Sequence, residues 1–233
     1  PEIVALKERG ISVDSELELA WSLAKAPFLA VTGTNGKSTT VTLAHLCLEA
    51  SGIQSRLAGN IGKAVIEDAF EATEEEVLVT EVSNYQLEAT THFRPRWAAL
   101  LNLQGDHAER QTFDEYIAAK ARLFTNQSPE DLAVLFWDDP KVQALAPAIK
   151  SQIAWFSVTE QLQAPGAWLE GDTLTVDLGK GPVALLDRSE LHLFGAHNVA
   201  NALAAALLAC SAGATLEGVQ ATLSSFTGLD FAL

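Results

Sequence analysis

The chain has 233 residues, of which 48% are hydrophobic and 19% are charged, and this composition predicts a globular protein that buries a real core. Its 30 acidic and 15 basic side chains give a formal net charge of −15, which argues against nucleic acid as a partner because phosphate backbones are bound through lysine and arginine. No apolar run approaches the roughly 20 residues that span a bilayer, so we expect no membrane insertion. Cys47 and Cys210 fall within apolar helical patterns, which predicts buried free thiols in a reducing cytoplasm.

Two helical patterns precede the first strand. Residues 2–9 predict a short amphipathic helix that ends at Gly10. Ser15 and Glu18 have the spacing of a capping box, which predicts a second helix running to about residue 25. The sequence contains no methionine and opens within a helical pattern, so we expect that it was excised from a longer protein.

A glycine-rich loop lies between a strand pattern and a helix pattern. Residues 28–32 are apolar and β-prone, which is typical of a buried strand, and residues 41–50 follow a helical pattern. The loop between them reads Gly33-Thr34-Asn35-Gly36-Lys37-Ser38-Thr39-Thr40. Strand, glycine-rich turn and helix in this order predict a phosphate-binding loop.

The chemistry of phosphate binding accounts for these residue types. Glycines allow a tight turn whose backbone N–H groups point at phosphate oxygens, and the positive end of the next helix faces the same anion. Lys37 would reach the terminal phosphates, and the Ser38 hydroxyl would ligate Mg²⁺. The loop is a variant, because Val31 occupies the position of the first glycine in the general pattern and Gly33 follows two residues later. An ordinary glycine turn with a surface lysine is the alternative.

Strand and helix patterns alternate along the rest of the chain. Strands are predicted at residues 54–57, 77–82, 97–103, 132–137 and 153–157, and helices at residues 63–70, 113–126, 198–211 and 216–225. This alternation predicts an α/β fold with a doubly wound, mostly parallel sheet of the phosphate-loop type. Residues 168–178 instead predict a hairpin, and therefore a small antiparallel appendage.

Polar side chains follow several of these strands. Glu81 ends the strand at 77–82, while Asp106 and His107 follow the strand at 97–103. Because ligands of parallel sheets bind at the carboxyl ends of strands, we expect these groups to converge on the phosphate loop. Glu81 would then join Ser38 as an oxygen ligand of Mg²⁺. A carboxylate that simply reaches water at the end of a strand is the alternative.

Four other polar positions each keep more than one interpretation. His107 is either a metal or phosphate ligand or a structural histidine. Lys120, which has three alanines around it, is an exposed lysine, a phosphate ligand or a lysine carbamate that ligates a metal, and the spacing does not choose among them. Asn198 and Asn201 share one helix face. Either they are a helix N-cap and a solvated amide, or they contact a nucleotide base.

Several of these motifs together resemble the Mur ligase family, the ATP-dependent enzymes that build the stem peptide of peptidoglycan. The resemblance rests on the phosphate loop, on Asp106-His107, on the helix that contains Lys120, and on Gly59-Asn60-Ile61-Gly62 and His197-Asn198 with Asn201. Residues 81–88, which read EVSNYQLE, look most like the D-glutamate-adding members of the family.

The resemblance implies a role for each of these positions. ATP would be bound by Gly33, Thr34, Asn35, Gly36, Lys37, Ser38, Thr39, Asn198 and Asn201. Lys37, His107 and Lys120 would be catalytic. One Mg²⁺ would be held by Ser38 and Glu81, and a second by His107 and a carbamylated Lys120. Asn60, Ser83 and Gln86 would face the UDP-muramoyl substrate.

The resemblance also implies domain boundaries. Residues 1–26 would form a linker with helices from the preceding boundary, and residues 27–229 the central ATP-binding domain. After Leu229 the family pattern leads us to expect a His-Arg pair, yet residues 230–233 read DFAL, so they would form a truncated or interrupted junction. Two smaller departures are Asn84 in place of an expected serine and a short connection between His107 and Lys120.

The implied reaction is amide bond formation in peptidoglycan precursor synthesis. ATP would convert the carboxylate of UDP-N-acetylmuramoyl-L-alanine to an acyl phosphate, and the amine of D-glutamate would then displace phosphate. Within the family, one further domain holds the UDP group, and another brings the amino acid and closes over ATP. We therefore expect small-molecule substrates, ATP with two Mg²⁺ ions, and a cytoplasmic monomer.

Three other interpretations remain open at this point. A folylpolyglutamate synthase would apply the same chemistry to folate. A nucleotide-dependent switch module would hydrolyse ATP without ligating anything, although a switch has no need of the polar run from Ser83 to Gln86 that follows Glu81. An inert domain excised from an enzyme is the third.

Overall fold

The computed structural model describes residues 9–10, 13–105, 112–163, 165–193 and 195–229. The strands are β1 Phe28–Thr32, β2 Ser55–Gly59, β3 Val77–Glu81, β4 Trp97–Leu100, β5 Leu132–Phe136, β6 Gln152–Ser157, β7 Gly166–Glu170, β8 Thr173–Asp177 and β9 Val183–Asp187. The α-helices are α1 Glu16–Leu23, α2 Lys37–Ala50, α3 Val65–Glu71, α4 Asn84–Glu88, α5 Phe113–Ala121, α6 Pro140–Gln143, α7 Ala196–Ser211 and α8 Leu216–Ser225. Short 3-10 turns occupy Arg122–Phe124, Ala146–Ala148 and Arg188–Glu190.

The described strands form one sheet in the order β2-β3-β1-β4-β5-β6-β7-β8-β9. Neighbouring strands are parallel from β2 to β7, and β7, β8 and β9 are antiparallel. The predicted mostly parallel sheet with an antiparallel part is therefore confirmed. The antiparallel part continues the main sheet, because β7 pairs directly with β6.

Helices cover both faces of the sheet, as a doubly wound fold requires. Strand β1 shows how the sequence produces this arrangement, because its alternate side chains enter opposite cores. Leu29 and Val31 pack in the core beneath α2, α7 and α8. Phe28 and Ala30 pack in the core beneath α1, α3 and α4. All of β1 is buried, and this explains why its sequence is a continuous apolar run.

Helix α7 packs against the sheet and against α2. Residues 201–210 are all buried, and most of them are alanine or leucine. Cys210 lies in this helix and Cys47 lies in α2, and both are buried free thiols, as predicted. Burial raises the pKa of Cys47 to about 12 and that of Cys210 to about 11, so neither thiol carries a reactive thiolate at neutral pH.

Several predicted boundaries are corrected by the structure. Helix α2 begins at Lys37, not at residue 41, because Gly36 adopts a left-handed conformation at its N-cap. The helix predicted at 113–126 ends at Ala121 and tightens into a 3-10 turn. The short helices α4 and α6 and strand β9 were not predicted. The helix predicted at residues 2–9 lies almost entirely outside the described residues.

The predicted capping box at the start of α1 is only half present. The Ser15 hydroxyl accepts a hydrogen bond from the Glu18 N–H at 3.2 Å. The Glu18 carboxylate does not reach back, because it accepts hydrogen bonds from three consecutive backbone N–H groups, those of residues 91–93, at 2.9, 2.7 and 3.0 Å. A long-range contact has therefore replaced the local one.

Among the described helices, none is both long and apolar enough to cross a membrane.

Candidate functional site

The candidate site lies at the carboxyl ends of the central strands. Strand β1 lies between β3 and β4, and the phosphate loop leaves β1 at this edge. Val31 pairs with Glu81 on one side, and Thr32 pairs with Leu100 on the other. Glu81 therefore flanks the loop, as predicted from the end of its strand, and the segment after β4 flanks the loop on the other side.

Gly36 is the point at which helix α7 packs closely against the loop. Its φ of 87° is a left-handed conformation that side chains disfavour. A Cβ atom at this position would lie 2.2 Å from Oδ1 of Asn201. The missing side chain therefore lets α7 approach the loop, and it explains how Asn201 comes to the phosphate loop from a distant part of the sequence.

We expect Gly36→Ala to weaken ATP binding and to lower the free energy of unfolding by about 1–3 kcal/mol, because it adds backbone strain and a collision with Asn201. Thermal unfolding and ATP titration measure the two effects. Gly171→Ala is the matched control, since Gly171 has a φ of 62° but open space around its Cβ position. Equal losses in the two variants would show that the contact with Asn201 has no effect.

Ser38 and Glu81, which the sequence predicts as oxygen ligands of Mg²⁺, are hydrogen-bonded to each other. The Ser38 hydroxyl donates to Glu81 Oε2 at 2.6 Å, and the side-chain amide of Asn60 donates to Oε1 at 2.9 Å. Glu81 is only 2% exposed. Its carboxylate is thus held at both oxygens, with one of them beside a hydroxyl at the start of α2.

This donor set fits Mg²⁺, which takes oxygen ligands and usually keeps several waters and substrate phosphates in its coordination shell. Among the described residues, no three His, Cys, Asp or Glu side chains converge on one point. A site with one carboxylate and one hydroxyl therefore suits an ion that takes its remaining ligands from phosphate and water. It does not suit a metal whose ligands all come from the protein.

The two site lysines meet at one backbone oxygen. The Gly33 carbonyl accepts from Lys37 Nζ at 3.2 Å and from Lys120 Nζ at 2.9 Å. Lys37 also donates to the Thr34 carbonyl at 3.1 Å, and Lys120 to the Thr32 hydroxyl at 3.2 Å. Lys120 is 1% exposed, so the interpretation of an exposed lysine is wrong.

This environment disfavours the charged form of Lys120. Burial is the main cause and the ammonium of Lys37 the second, and together they lower the pKa of Lys120 to about 7 against a smaller opposing effect of Glu81. A lysine with such a pKa is partly an uncharged amine at neutral pH.

Tyr116 links Lys120 to the tip of the loop. It lies one turn before Lys120 in α5, and the lysine Nζ lies 4.7 Å from the centre of its ring. The Tyr116 hydroxyl is 2.9 Å from the Thr34 hydroxyl. Tyr116 was not among the predicted site residues, although its spacing from Lys120 places both on one helix face.

A cavity of about 570 Å³ opens beside the loop. Its wall includes Phe136 and Phe156 at the ends of β5 and β6, whose rings stack with centroids 4.9 Å apart. The remaining lining residues come from the loop, the segment after β4, the end of β6 and the start of α7, and they are Asn35, Gly36, Leu101, Asn102, Gln104, Val158, Ala196, His197, Ala200 and Asn201. Apolar walls with a few amides suit a planar, polar-edged group.

Asn201, predicted to contact either solvent or a nucleotide base, lines this cavity. Its amide donates to Asn198 Oδ1 at 3.2 Å, so the two asparagines share a face. The alternative in which Asn198 caps the helix is wrong, because Gly195 holds the N-cap position.

Ser83 and Gln86 are engaged with each other. The Ser83 hydroxyl and N–H both donate to Gln86 Oε1 at 2.9 Å, and the Gln86 N–H donates to the Ser83 hydroxyl at 3.3 Å. This capping box starts α4 directly after β3. Asp106 and His107 lie outside the described residues.

Comparison with known proteins gives consistent matches. The sequence pattern of the Mur ligase middle domain matches residues 31–209. The chain is 39% identical to the UDP-N-acetylmuramoylalanine--D-glutamate ligase of Pelotomaculum thermopropionicum, over 98% of this chain and 50% of that protein. It is 40% identical to the ligase of the same name from Bacillus subtilis, over 96% of this chain and 49% of that protein. The chain thus spans about half the length of the curated relatives it matches.

Two solved structures have a similar fold. One is a UDP-N-acetylmuramoyl-L-alanyl-D-glutamate--2,6-diaminopimelate ligase, with a TM-score of 0.71 and 23% identity over 91% of this chain and 49% of that chain. The other is a murein peptide ligase from Psychrobacter arcticus, with a TM-score of 0.70 and 20% identity over 98% of this chain and 53% of that chain. At this identity the likeness supports the fold alone.

Proposed function

Because the chain belongs to the Mur ligase family, we propose that it supplies the ATP-binding part of an enzyme that adds D-glutamate to UDP-N-acetylmuramoyl-L-alanine. The contact between Ser38 and Glu81 at the start of α2 is the observation that carries the proposal. The names of the two curated relatives favour D-glutamate ligation over the folate alternative. We propose the same activity, the ligation of D-glutamate to UDP-N-acetylmuramoyl-L-alanine, for the protein to which this chain contributes.

ATP would bind along the edge formed by the loop and the cavity. The N–H groups at the start of α2 and the Lys37 ammonium would hold its phosphates. The base would enter the cavity between Asn201 and the stacked pair of Phe136 and Phe156. Ser38 and Glu81 would hold one Mg²⁺, which supplies positive charge to the phosphates when bound.

These residues contribute placement and charge to the reaction. A carboxylate oxygen of the muramoyl substrate attacks the terminal phosphorus of ATP, and ADP leaves as the acyl phosphate forms. The amine of D-glutamate then attacks the acyl carbon, phosphate leaves, and the amine loses a proton. Lys37 would stabilise the charge that spreads over the moving phosphoryl group. Asn60, whose amide holds Glu81, and Ser83 and Gln86, which begin α4, remain our candidates for the substrate side.

The dependence of ATP affinity on Mg²⁺ tests this proposal. We expect titration calorimetry to show that Mg²⁺ strengthens ATP binding to the unaltered chain, and that Glu81→Gln removes most of this gain. Glu67→Gln makes the same chemical change at an exposed position in α3 and should retain it. An identical response to Mg²⁺ in the Glu81 variant would contradict the metal assignment.

We also propose that Lys120 carries a carbamate and, with His107, holds a second Mg²⁺. The amine is buried beside Lys37 and is 4.7 Å from the ring centre of Tyr116. A carbamate replaces the cation at this position with an anion, which would remove the repulsion between the two lysines. The buried position also keeps the lysine out of bulk water.

Incubation with ¹³C-labelled bicarbonate is expected to give a carbamate resonance that Lys120→Arg abolishes. Only the uncharged amine reacts with CO₂, so the signal should rise between about pH 6 and pH 8 and fall when acid protonates the amine. In the complete ligase, short carboxylic acids should partly restore the activity of Lys120→Ala. An unmodified lysine throughout this pH range, without any rescue, would contradict the proposal.

The proposal extends to a cytoplasmic monomer. Two buried free thiols suit a reducing compartment. The net charge of −15 opposes self-association through repulsion. Sedimentation at low and high salt measures the oligomeric state directly.

A further inference from the structure

We propose that Asn102 is a positioning residue that clamps the tip of the phosphate loop and determines which backbone N–H groups face the phosphates. The inference rests on the proposed binding of ATP at this loop. Asn102 is the second residue after β4, and its sequence pattern predicted only a strand.

The clamp consists of two hydrogen bonds to one residue of the loop. Asn102 Oδ1 accepts from the Asn35 N–H at 2.9 Å, and its Nδ2 donates to the Asn35 carbonyl at 3.0 Å. The opposite orientation of the side-chain amide would face oxygen to oxygen and nitrogen to nitrogen, so the two partners determine which orientation is present. The Asn102 side chain thus pairs with Asn35 as another peptide group would.

The clamp begins where the backbone ladder between β1 and β4 ends. Leu101 donates from its N–H to the Thr32 carbonyl at 3.1 Å, and Thr34 donates to the Asn102 carbonyl at 3.0 Å. The next backbone group, that of Asn35, is met by the side chain of Asn102. The side chain therefore extends the pairing into the loop, up to the residue before Gly36.

This pairing decides which donors remain for a ligand. The Asn35 N–H is already occupied by Asn102. The first helical hydrogen bond of α2 is donated by Thr40 to Gly36, so the N–H groups of Lys37, Ser38 and Thr39 precede it at the open end of the helix. We infer that the phosphates are held by the N–H groups from Gly36 onward, and that Asn35 serves as the fixed edge of this cradle.

Asn102→Ala tests the clamp without removing the backbone contacts of residue 102. With Mg²⁺ present, we expect the variant to bind ATP about tenfold more weakly than the unaltered chain does. Part of the binding free energy would then be used to order the loop. Asn126→Ala is the matched control, since the Asn126 amide also donates twice to backbone, to the Thr91 and Phe93 carbonyls at 2.9 and 3.1 Å, but far from the loop. It should lower thermal stability and leave ATP affinity unchanged.

Amide hydrogen exchange measured by NMR gives a readout that loss of stability alone would not produce. In the unaltered chain, the Asn35 amide should be protected with and without ATP, whereas the amides of Lys37 and Ser38 should gain protection only with ATP. In Asn102→Ala the Asn35 amide should exchange quickly while the sheet stays protected.

The outcomes separate this inference from the proposed function. Failure of the unaltered chain to bind ATP would overturn both. ATP binding that is equally tight in Asn102→Ala, or an Asn35 amide that exchanges quickly in the unaltered chain, would overturn the clamp and leave the proposed function standing. Because the second measurement uses the unaltered chain, it decides the question even if the variant does not fold.

Discussion

The 233-residue polypeptide alone is expected to bind ATP with Mg²⁺ but to form no product from UDP-N-acetylmuramoyl-L-alanine and D-glutamate at an enzyme-like rate. The chain matches only about half the length of its curated relatives. The family resemblance assigns the UDP group and the amino acid to domains outside this half. The polypeptide would therefore bind ATP without holding the muramoyl substrate and D-glutamate in place.

The expected loss is large because positioning is a large part of catalysis. Holding reactants in attack geometry contributes roughly 7–11 kcal/mol to lowering a barrier, which corresponds to about five to eight orders of magnitude in rate. Closure over the site also keeps water from an acyl phosphate that would otherwise hydrolyse. Binding of ATP, as we propose it, would by contrast need only groups that the described residues already bring together.

Labelled D-glutamate measures this difference. The polypeptide is incubated with ATP, Mg²⁺, UDP-N-acetylmuramoyl-L-alanine and the labelled amino acid, and the product is separated and counted. The Bacillus subtilis relative, assayed in parallel, shows that the substrates are competent. Product formation by the polypeptide at a comparable rate would show that the 233 residues contain the whole catalytic unit.

The parts of the site that the sequence predicted depend on order along the chain. A glycine-rich loop between a strand and a helix requires only local geometry, so Gly36, Lys37 and Ser38 could be placed before the structure was known. Glu81 could be placed because it ends a strand whose apolar run is unmistakable. The rule that parallel strands present their carboxyl ends at one edge then brings these residues together.

The parts that the sequence did not predict depend on contacts between distant segments. The clamp by Asn102 requires the register of β1 against β4, which no local pattern specifies. The Gly33 carbonyl that Lys37 and Lys120 share is likewise a product of the fold. The apolar wall formed by Phe136 and Phe156 arises only when β5 and β6 pair.

The start of α4 also carries a local signal in its sequence. Ser83 and Gln86 are three residues apart in the pattern of a capping box, and the structure shows that box at the start of α4. The family resemblance instead implies that these two side chains face the substrate. Both roles are compatible, since a rigid first turn of α4 would hold these side chains at the same edge as Glu81.

Lys37→Ala is expected to abolish measurable ATP binding while the fold stays intact. In the structure the Lys37 ammonium donates only to the backbone carbonyls of Gly33 and Thr34, so its loss removes no ion pair from the described residues. Towards ATP, it would make charge-assisted hydrogen bonds, and losing them should cost about 3 kcal/mol or more, which lowers the affinity more than 100-fold. The net charge of −15 does not attract the anionic phosphates of ATP, so it cannot replace the lost ammonium group.

Titration calorimetry and thermal unfolding decide this prediction together. Lys150→Ala is the matched control, because it removes the same charge from an exposed position just before β6, at the opposite edge of the sheet, and it should bind ATP normally. Removal of Lys37 also takes away one of the two causes that lower the pKa of Lys120, so the labelled carbamate should require a higher pH to form in this variant. Unchanged ATP affinity in a folded Lys37→Ala protein would mean that the loop is not the phosphate site, and the assignment of Ser38 and Glu81 to Mg²⁺ would fail with it.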